Sequence, residues 1–333
     1  MQHYYFSLKQ MARASLSFAV ALGLSLGSLS CSRSNPSQTE QARTAAADNF
    51  TPLTFDNYGR TITVNERPQR VLTLGPNCTE TFVALGLVDY IVGNSLKNHS
   101  RGPLPQYAEA FKKIPELNYG SATREAVVSS GADFIYGLDW EFGAEGLELD
   151  ELAGYGITVY VDSASTLEQT YQEIRDIGKI FGIEERAEAY IADQQSRIKA
   201  VQDKLAGKPK VKVLVYDSGS DGVFTCSGIN FESLLIGYAG GKNIFDDLTE
   251  KAWITASYEE VLARNPDVII IHDYDSPSVE AKILEIKSNG SLSELDAVRN
   301  ERFVIIELES VLPGNRLAYT VEKLSKGLYP QLF

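Results

Sequence analysis

The sequence predicts an α/β protein with two Rossmann-like lobes, joined by a single long α-helix, with a ligand cleft between the lobes. Short apolar runs alternate with helical stretches in both halves of the chain, which is typical of a doubly wound parallel sheet. A long amphipathic segment, residues 186–205, separates the halves. Similar phrases also recur in both, for example at 124–128 and at 258–262, each ahead of a buried strand.

The first half opens with a hairpin-like pair of runs at 53–55 and 59–64. Buried strands are then predicted at 70–74, 90–93, 132–136 and 158–161, and helices at 79–85, 125–130 and 147–154. Pro76 and Asn77 break the first buried strand before its helix begins. This order of elements predicts one parallel sheet in the first half.

The segment between the halves has the periodicity of one long helix. Its apolar face repeats at alternating spacings of four and three, with charged residues elsewhere. That face consists of Ala187, Ile191, Gln194, Ile198, Val201 and Leu205. About five turns correspond to a length of about 30 Å, so this helix is expected to act as a rigid spine between the lobes.

The second half resumes the alternation after Gly207 and Pro209. Strands are predicted at 211–216, 268–271 and 303–306, with a closing helix at 321–328. The predicted organisation is a signal peptide (1–30), a flexible tether (31–49), an N-terminal lobe (50–165), a helical connector (166–207) and a C-terminal lobe (208–333).

The N-terminus reads as an export signal. Lys9 and Arg13 precede an uncharged, mostly apolar run at 14–29, and small residues follow. Because this run ends at Cys31, it resembles a bacterial lipoprotein signal, in which the cysteine becomes the acylated first residue. Ser28 stands where that family usually has leucine, so ordinary secretion with Cys31 removed or free is the alternative. Both alternatives place the globular part outside the cytoplasm.

Composition excludes several classes of protein. Residues 1–30 hold two of the 31 basic residues and none of the 44 acidic ones, so the mature chain has 29 against 44 and a net charge of −15. Such a chain repels nucleic acid. No later apolar run approaches the ~20 residues of a spanning helix.

No metal site is expected, because zinc-ligand spacing is absent among His99, His272, Cys78 and Cys226. Whether the two cysteines pair is left open.

Several phrases of the sequence resemble those of the iron-siderophore and cobalamin (class III) periplasmic substrate-binding proteins of ABC importers. The phrases lie at 68–72 with 77–80 and 84–86, at 125–127 with 131–135, at 239–245 and at 258–269. Their order and spacing extend over 53–333. The resemblance implies two α/β lobes with ligand held in a shallow cleft, in a lipoprotein form. It implies that the chain captures a ferric siderophore and delivers it to the importer.

The resemblance also implies two glutamates at the lobe tips that dock onto arginines of the permease dimer. Glu80 matches the first by motif, and Glu232 is the expected second. A structural alternative exists for Glu80, because residues 77–80 fit a capping box with glutamate at its last position.

The ligand-binding candidates lie where strands are expected to end, since open α/β sheets bind ligands there. They are Tyr119, Trp140, Tyr216, Phe224, Trp253, Tyr274 and Arg316. The resemblance implies that Arg316, which follows residues 313–315, lies where relatives carry a ligand-contacting arginine. Aromatic rings with an arginine suit the organic shell and anionic oxygens of a ferric siderophore. Arg101 and Arg124 are further candidate anion contacts.

Two other functions remain open. The same family also carries cobalamin and haem, and His272 is the available axial ligand for haem. An extracellular enzyme is less favoured, because the chain has no GxSxG or HExxH motif. The expected partners are the permease dimer, a small metal chelate and a membrane reached through lipid on Cys31. The binder itself is expected to be an extracytoplasmic monomer without a cofactor.

Overall fold

The computed structural model describes residues 50–143, 146–219 and 221–333. The predicted signal peptide, the tether and Cys31 lie outside these residues. Within them, no helix is long and apolar enough to cross a membrane.

A hairpin and a four-stranded parallel sheet form the first half. The hairpin consists of β1 (Leu53–Asn57) and β2 (Arg60–Val64). The sheet elements in chain order are β3 (Val71–Leu74), α1 (Pro76–Ala84), β4 (Ile91–Ser95), α2 (Ala108–Phe111), α3 (Arg124–Ser129), β5 (Phe134–Leu138), α4 (Leu149–Gly154) and β6 (Thr158–Asp162). The strand order is β4-β3-β5-β6. The hairpin is tied to this sheet through Asn57, whose side chain bonds both the N–H and the carbonyl of Val161.

Two consecutive helices connect the halves, α5 (Leu167–Phe181) and α6 (Glu184–Leu205). The long helix predicted from periodicity is α6, with 22 residues. Its six predicted apolar-face positions are the six that are buried. Gly182 ends α5 in the left-handed conformation (φ 67°), which allows the chain to reverse into α6.

A second four-stranded parallel sheet forms the second half. Its elements in chain order are β7 (Val211–Tyr216), β8 (Ser218–Gly219), β9 (Val223–Cys226), α7 (Phe231–Tyr238), β10 (Gly241–Asn243), β11 (Trp253–Ala256), α8 (Tyr258–Arg264), β12 (Val268–Asp273), α9 (Val279–Ser288), α10 (Asp296–Arg299), β13 (Phe303–Glu307) and α11 (Leu317–Leu328). The parallel strand order is β10-β7-β12-β13. The predicted two-lobed α/β fold is confirmed.

A small antiparallel sheet, β11-β9-β8, was not predicted from the sequence. Its strands have two to four residues, too few for a period-two pattern to stand out. It carries Phe224 and Trp253 on neighbouring strands.

The core explains why the two halves form one body. Successive residues of a strand point to opposite faces, so Val213 and Leu214 of β7 belong to different core clusters. The cluster that contains Val213 also contains Val71 of the first sheet, together with Ile177 of α5 and Ile198 of α6. One continuous apolar core therefore runs from the first sheet through the connecting helices to the second.

Candidate functional site

A cavity of about 340 Å³ lies between the two halves of the chain. From the first half it is lined by Leu138, Asp139, Trp140, Asp162, Ser163, Ala164 and Ser165, and from the second by Ile229, Asn230, Phe231, Ala252, Trp253, Val311, Leu312 and Pro313. The first group follows directly on the ends of β5 and β6. Ligand sites in open α/β sheets occupy this carboxyl edge, so the interlobe cavity is the candidate ligand cleft.

Both tryptophans of the chain line this cavity, one from each half. Trp140 follows β5 and leaves 45% of its surface exposed. Trp253 begins β11 and stacks on Phe224, with ring centroids 5.3 Å apart and an interplanar angle of 15°. The structure thus brings three of the predicted aromatic residues to the cleft and its rim.

Tyr119 and Tyr274 lie beside the cavity rather than in its lining. The Tyr119 side chain is half exposed and hydrogen-bonds to Asp275. The Tyr274 hydroxyl donates to Asp217 Oδ2 at 3.1 Å. The Tyr274 ring stacks on His99, with centroids 6.3 Å apart. Both tyrosines therefore belong to contacts around the cleft.

Sequence reasoning considered His99 and Arg101 singly but did not predict that the segment 96–102, which we call the interlobe strap, would bridge the two halves. It leaves the first sheet after β4 and contacts the second half at several points. Ser100 Oγ donates to Glu309 Oε1 at 2.8 Å, and Arg101 Nε donates to Asp273 Oδ1 at 2.7 Å. His99 lies with its ring centroid 6.2 Å from that of Trp140, and burial lowers its pKa below the usual value. The strap joins the lobes along one edge of the cleft.

Tyr216 does not reach the cleft, so that prediction is wrong. The residue is 1% exposed and packs in the apolar cluster on one face of the second sheet. Its position at the end of β7 suggested a cleft residue. Because strand side chains alternate, Tyr216 shares the face of Leu214 and points into the core.

Arg316 is buried in an ion-pair network and does not line the cleft, contrary to prediction. It is 4% exposed. Its Nε donates to Glu80 Oε1 at 2.8 Å, its Nη1 to Ser310 Oγ at 3.0 Å and its Nη2 to the Gly102 carbonyl at 2.8 Å. Every nitrogen of this guanidinium already has an acceptor.

Glu80 is 0% exposed, so the expectation of an exposed docking glutamate is not met. Its carboxylate also accepts from Asn315 Nδ2 at 2.8 Å and from the Leu104 N–H at 3.0 Å. The capping-box alternative is wrong as well, because α1 begins at Pro76 after Gly75. Gly75 has a φ of 136°, which favours glycine at this turn.

Glu232 is likewise 0% exposed and forms a buried chain with His272 and Asp217. His272 Nε2 lies 2.9 Å from Glu232 Oε2, and Nδ1 lies 2.9 Å from Asp217 Oδ1. Burial disfavours the imidazolium, but the two flanking carboxylates outweigh it and raise the pKa of His272 to about 9. Both ring nitrogens are occupied, so His272 does not offer the axial ligand considered for haem.

Asp162, which lines the cleft, and Glu173 form a pair of buried carboxyl groups. Asp162 is 1% exposed, and its Oδ2 accepts from Asn77 Nδ2 at 2.7 Å. Its buried Oδ1 has no donor among the described residues when both carboxyls are ionised. Burial raises the pKa of Asp162 to about 7 and that of Glu173 well above its usual value, and the two side chains hydrogen-bond to each other. Burial therefore favours the retention of a proton by this pair.

The electrostatic character of the cleft follows from its lining. Asp139 and Asp162 are its charged residues, and no lysine or arginine is among the side chains that line it. Arg101 is held by Asp273, and Arg124 pairs with Glu151. The arginine-lined cleft expected from the sequence is therefore replaced by an aromatic cleft with an acidic floor.

The smaller polar lining residues could have been found by position. Asp162 ends β6, and Ser163 follows it directly. The rule that ligands meet the carboxyl ends of parallel strands points to both, whereas a search for aromatic residues and arginines overlooks them. The residues Asn230 and Pro313 come from loops that no strand-end rule locates.

Cys78 and Cys226 are both free and buried. Burial raises the pKa of each thiol well above its usual value. Across 50–143, 146–219 and 221–333, no group of three or more His, Cys, Asp or Glu side chains could hold a metal ion. These thiols contribute to the core.

The chain belongs to the periplasmic binding protein family, whose model matches residues 71–308. Members of this family work with ABC importers, so the chain is an extracytoplasmic substrate-binding protein, not an enzyme, and it carries a small-molecule ligand rather than a cofactor.

Three similar proteins illustrate the relationship. The uncharacterized ABC transporter substrate-binding lipoprotein YvrC of Bacillus subtilis is 26% identical over 305 residues, covering 90% of this chain and 92% of its own. The vitamin B12-binding protein of Photorhabdus laumondii is 26% identical over 231 residues, covering 66% of this chain and 80% of its own. A solved periplasmic binding protein from Veillonella parvula is 26% identical with a TM-score of 0.75, covering 84% of this chain and 98% of its own.

Proposed function

We propose that the interlobe cleft captures a metal chelate whose outer surface is uncharged or positively charged, and that a ferric siderophore of the hydroxamate type is this ligand. The supporting observation is the lining of the cleft: Trp140 and Trp253 face it from the two halves, with acidic but no basic side chains. Aromatic rings pack against an organic shell, and they do not require a ligand charge.

The charge of the cleft argues against strongly anionic ligands. Ferric tricatecholates and ferric citrate would approach Asp139 and Asp162 without a basic lining residue to pair with. Like charges across an interface cost free energy and slow association. Haem is disfavoured for the same reason, because its propionates are anionic, and because the His272 ring nitrogens already contact two carboxylates.

Cobalamin is the second candidate. It has no anionic chelating shell that would need an arginine, and its corrin ring offers a large surface to tryptophan. The similarity to a vitamin B12-binding protein across two thirds of this chain favours it specifically.

Titration of tryptophan fluorescence tests the proposal. The mature protein is mixed with ferrioxamine B, ferric citrate, a ferric tricatecholate, cyanocobalamin and hemin, and calorimetry checks each response. We expect submicromolar binding of ferrioxamine B or cyanocobalamin and at least about tenfold weaker binding of the anionic chelates. Iron-free desferrioxamine is the control for the chelate. Tightest binding of a tricatecholate would contradict the proposed ligand class.

We also propose that the protein is a lipid-anchored monomer and that it delivers its ligand to a permease dimer. The lipoprotein-like signal that ends at Cys31 supports the anchor, and the relative YvrC is named a lipoprotein. Mass spectrometry of the membrane-extracted protein should find acyl chains on the N-terminal peptide, and Cys31→Ser should release the protein from the membrane. An unmodified peptide that begins after Cys31 would leave a freely diffusing binder.

A further inference from the structure

A second cavity, of about 490 Å³, lies in the first half of the chain, and we call it the strap pocket. Its walls come from the start of α1, the end of β4, the interlobe strap, and α2 with the residues that follow it. The lining residues are Pro76, Asn94, Ser95, Lys97, Ser100, Arg101, Gly102, Pro103, Ala108, Phe111, Lys112, Ile114 and Glu116. None of these residues lines the interlobe cleft. The strap pocket is therefore a separate cavity.

The charge of the strap pocket is opposite to that of the cleft. Lys97, Arg101 and Lys112 line it against one acidic residue, Glu116. The whole chain has a net charge of −13. A cavity lined by three cations and one anion therefore has a charge opposite to that of the chain as a whole. A cavity with this lining attracts anions, whereas the cleft repels them.

The pocket also has an apolar wall. Phe111 and Ile114 are partly buried and pack against the main core cluster, which holds them in place. A ligand that fills the pocket can place a ring or a short alkyl chain on this wall and an anionic group among the cations. Pockets for small molecules combine these two features.

The present partners of the two lysines are easily exchanged. Lys97 pairs with Glu116 at 3.0 Å, with side chains 66% and 43% exposed. Lys112 pairs with Glu109 at 2.6 Å, with side chains 69% and 85% exposed. Ion pairs this exposed contribute little to stability, so a bound anion can replace either carboxylate at small cost.

Arg101 differs because its partner lies in the other lobe. Its Nε donates to Asp273 Oδ1 at 2.7 Å, at the end of β12. A ligand anion in the strap pocket competes with Asp273 for this guanidinium. Removing Asp273, which does not line the pocket, should therefore strengthen anion binding.

We propose that the strap pocket binds a small organic anion, with a carboxylate, sulfonate or phosphate group among Lys97, Arg101 and Lys112 and an apolar body against Phe111. This inference does not depend on which chelate the cleft takes.

The test uses the mature protein and the fluorescent anion 1-anilinonaphthalene-8-sulfonate. We expect one bound probe per chain, with affinity that falls as salt is added. Lys112→Ala and Lys97→Ala should each weaken binding by about threefold to tenfold, as expected for the loss of a charge-assisted contact. Asp273→Asn should strengthen it. The matched control is Lys251→Ala, because Lys251 lines a different groove, and it should leave binding unchanged.

Two further measurements separate this site from the cleft. The neutral probe N-phenyl-1-naphthylamine should bind much more weakly, and Trp140→Ala should leave the affinity for the anion unchanged. Equal binding of the neutral probe, equal loss in Lys251→Ala, or loss of binding in Trp140→Ala would each overturn the proposal. If Asp273→Asn binds the anion no better than the parent, Arg101 does not contact the bound anion.

Discussion

Arg316 and Glu80 form a buried ion pair that joins the two lobes. Arg316 Nε lies 2.8 Å from Glu80 Oε1, and the two side chains are 3% and 0% exposed. They are 236 residues apart in the chain. Family resemblance assigned docking to Glu80 and ligand contact to Arg316. Because the two side chains bury each other, neither is available at the surface.

Replacing Arg316 should therefore destabilise the fold rather than only weaken ligand binding. Arg316→Ala leaves the Glu80 carboxylate buried without its cation, and breaking such pairs costs about 3–5 kcal/mol. Urea unfolding followed by circular dichroism measures the loss. The matched control is Arg299→Ala, since Arg299 pairs with Glu294 at the surface with both side chains more than half exposed. That variant should change stability by less than about 0.5 kcal/mol.

The double variant distinguishes a missing partner from a general packing defect. Glu80→Leu combined with Arg316→Leu removes both charges and should recover part of the loss of Arg316→Ala. An Arg316→Ala protein as stable as the parent would contradict the buried pair. Glu80→Arg should also destabilise the fold, because it places two guanidinium groups in one buried site.

The two tryptophans allow each wall of the cleft to be observed separately. Because the chain contains only Trp140 and Trp253, Trp140→Phe and Trp253→Phe each leave a single reporter. A ligand held between the lobes should quench both variants with similar midpoints. Trp140→Ala and Trp253→Ala should each weaken binding by about tenfold or more, since each ring supplies a large packing surface for the ligand. Quenching of one reporter alone would place the ligand on one lobe.

His272 should stabilise the fold up to alkaline pH. Its folded pKa of about 9 exceeds the unfolded value of about 6.5, so its contribution is complete below pH 6.5 and is lost as pH rises through 9. Complete loss is worth about 3 kcal/mol. The neighbouring Lys282, whose pKa burial lowers to about 8, acts in the opposite direction between pH 8 and 10.

The difference between the parent and His272→Gln isolates the histidine from Lys282. Unfolding free energies of both proteins are measured from pH 6 to 10. The advantage of the parent should be largest near neutral pH and should shrink toward pH 10. A difference that does not change with pH would show that folding does not raise the pKa of His272.

Asp162 should lose stability in the same direction as His272, as pH rises, but over a lower pH range. Its folded pKa of about 7 exceeds the unfolded value of about 4, so the proton it shares with Glu173 favours the folded state at low pH. Stability contributed by this proton is lost as pH rises from about 4 through 7. Asp162→Asn should remove that loss and should be more stable than the parent above pH 7, by up to about 4 kcal/mol.

Infrared spectroscopy checks the same proton directly. The carbonyl stretch of a protonated carboxyl group should be present in the parent at pH 6 and absent in a Glu173→Gln, Asp162→Asn double variant. Its absence from the parent at pH 6 would mean that the two carboxyls do not share a proton.

Much of the fold was predictable because local patterns specify it. The buried positions of α6 match its periodicity at all six residues from Ala187 to Leu205, since one face of a helix must meet the core. The strand at Val211–Tyr216 was predicted with its observed bounds. The helix after β3 was predicted three residues late, because Pro76 was taken as a break although proline is favoured in the first helical turn.

The site was predictable only in part. Trp140 and Trp253 were found because large aromatic residues in polar loops or short edge strands seldom serve only the core. Tyr216 and Arg316 were misplaced because a residue at a strand end can point to either face, and because a cation can be neutralised by a partner far away in sequence. The strap contacts of Ser100 and Arg101 join segments about 170 to 210 residues apart and leave no local pattern.

The sequence by itself determined the two-lobed α/β fold, the long connecting helix, the family and the aromatic character of the cleft. Periodicity and local phrases encode these features. Only the tertiary structure decided the charge of the cleft, because that charge depends on which carboxylate pairs with Arg316. Arg316 is buried with Glu80, and Asp139 and Asp162 are the charged residues that line the cleft beside the two tryptophans. Long-range ion pairing therefore decides the charge of this cleft.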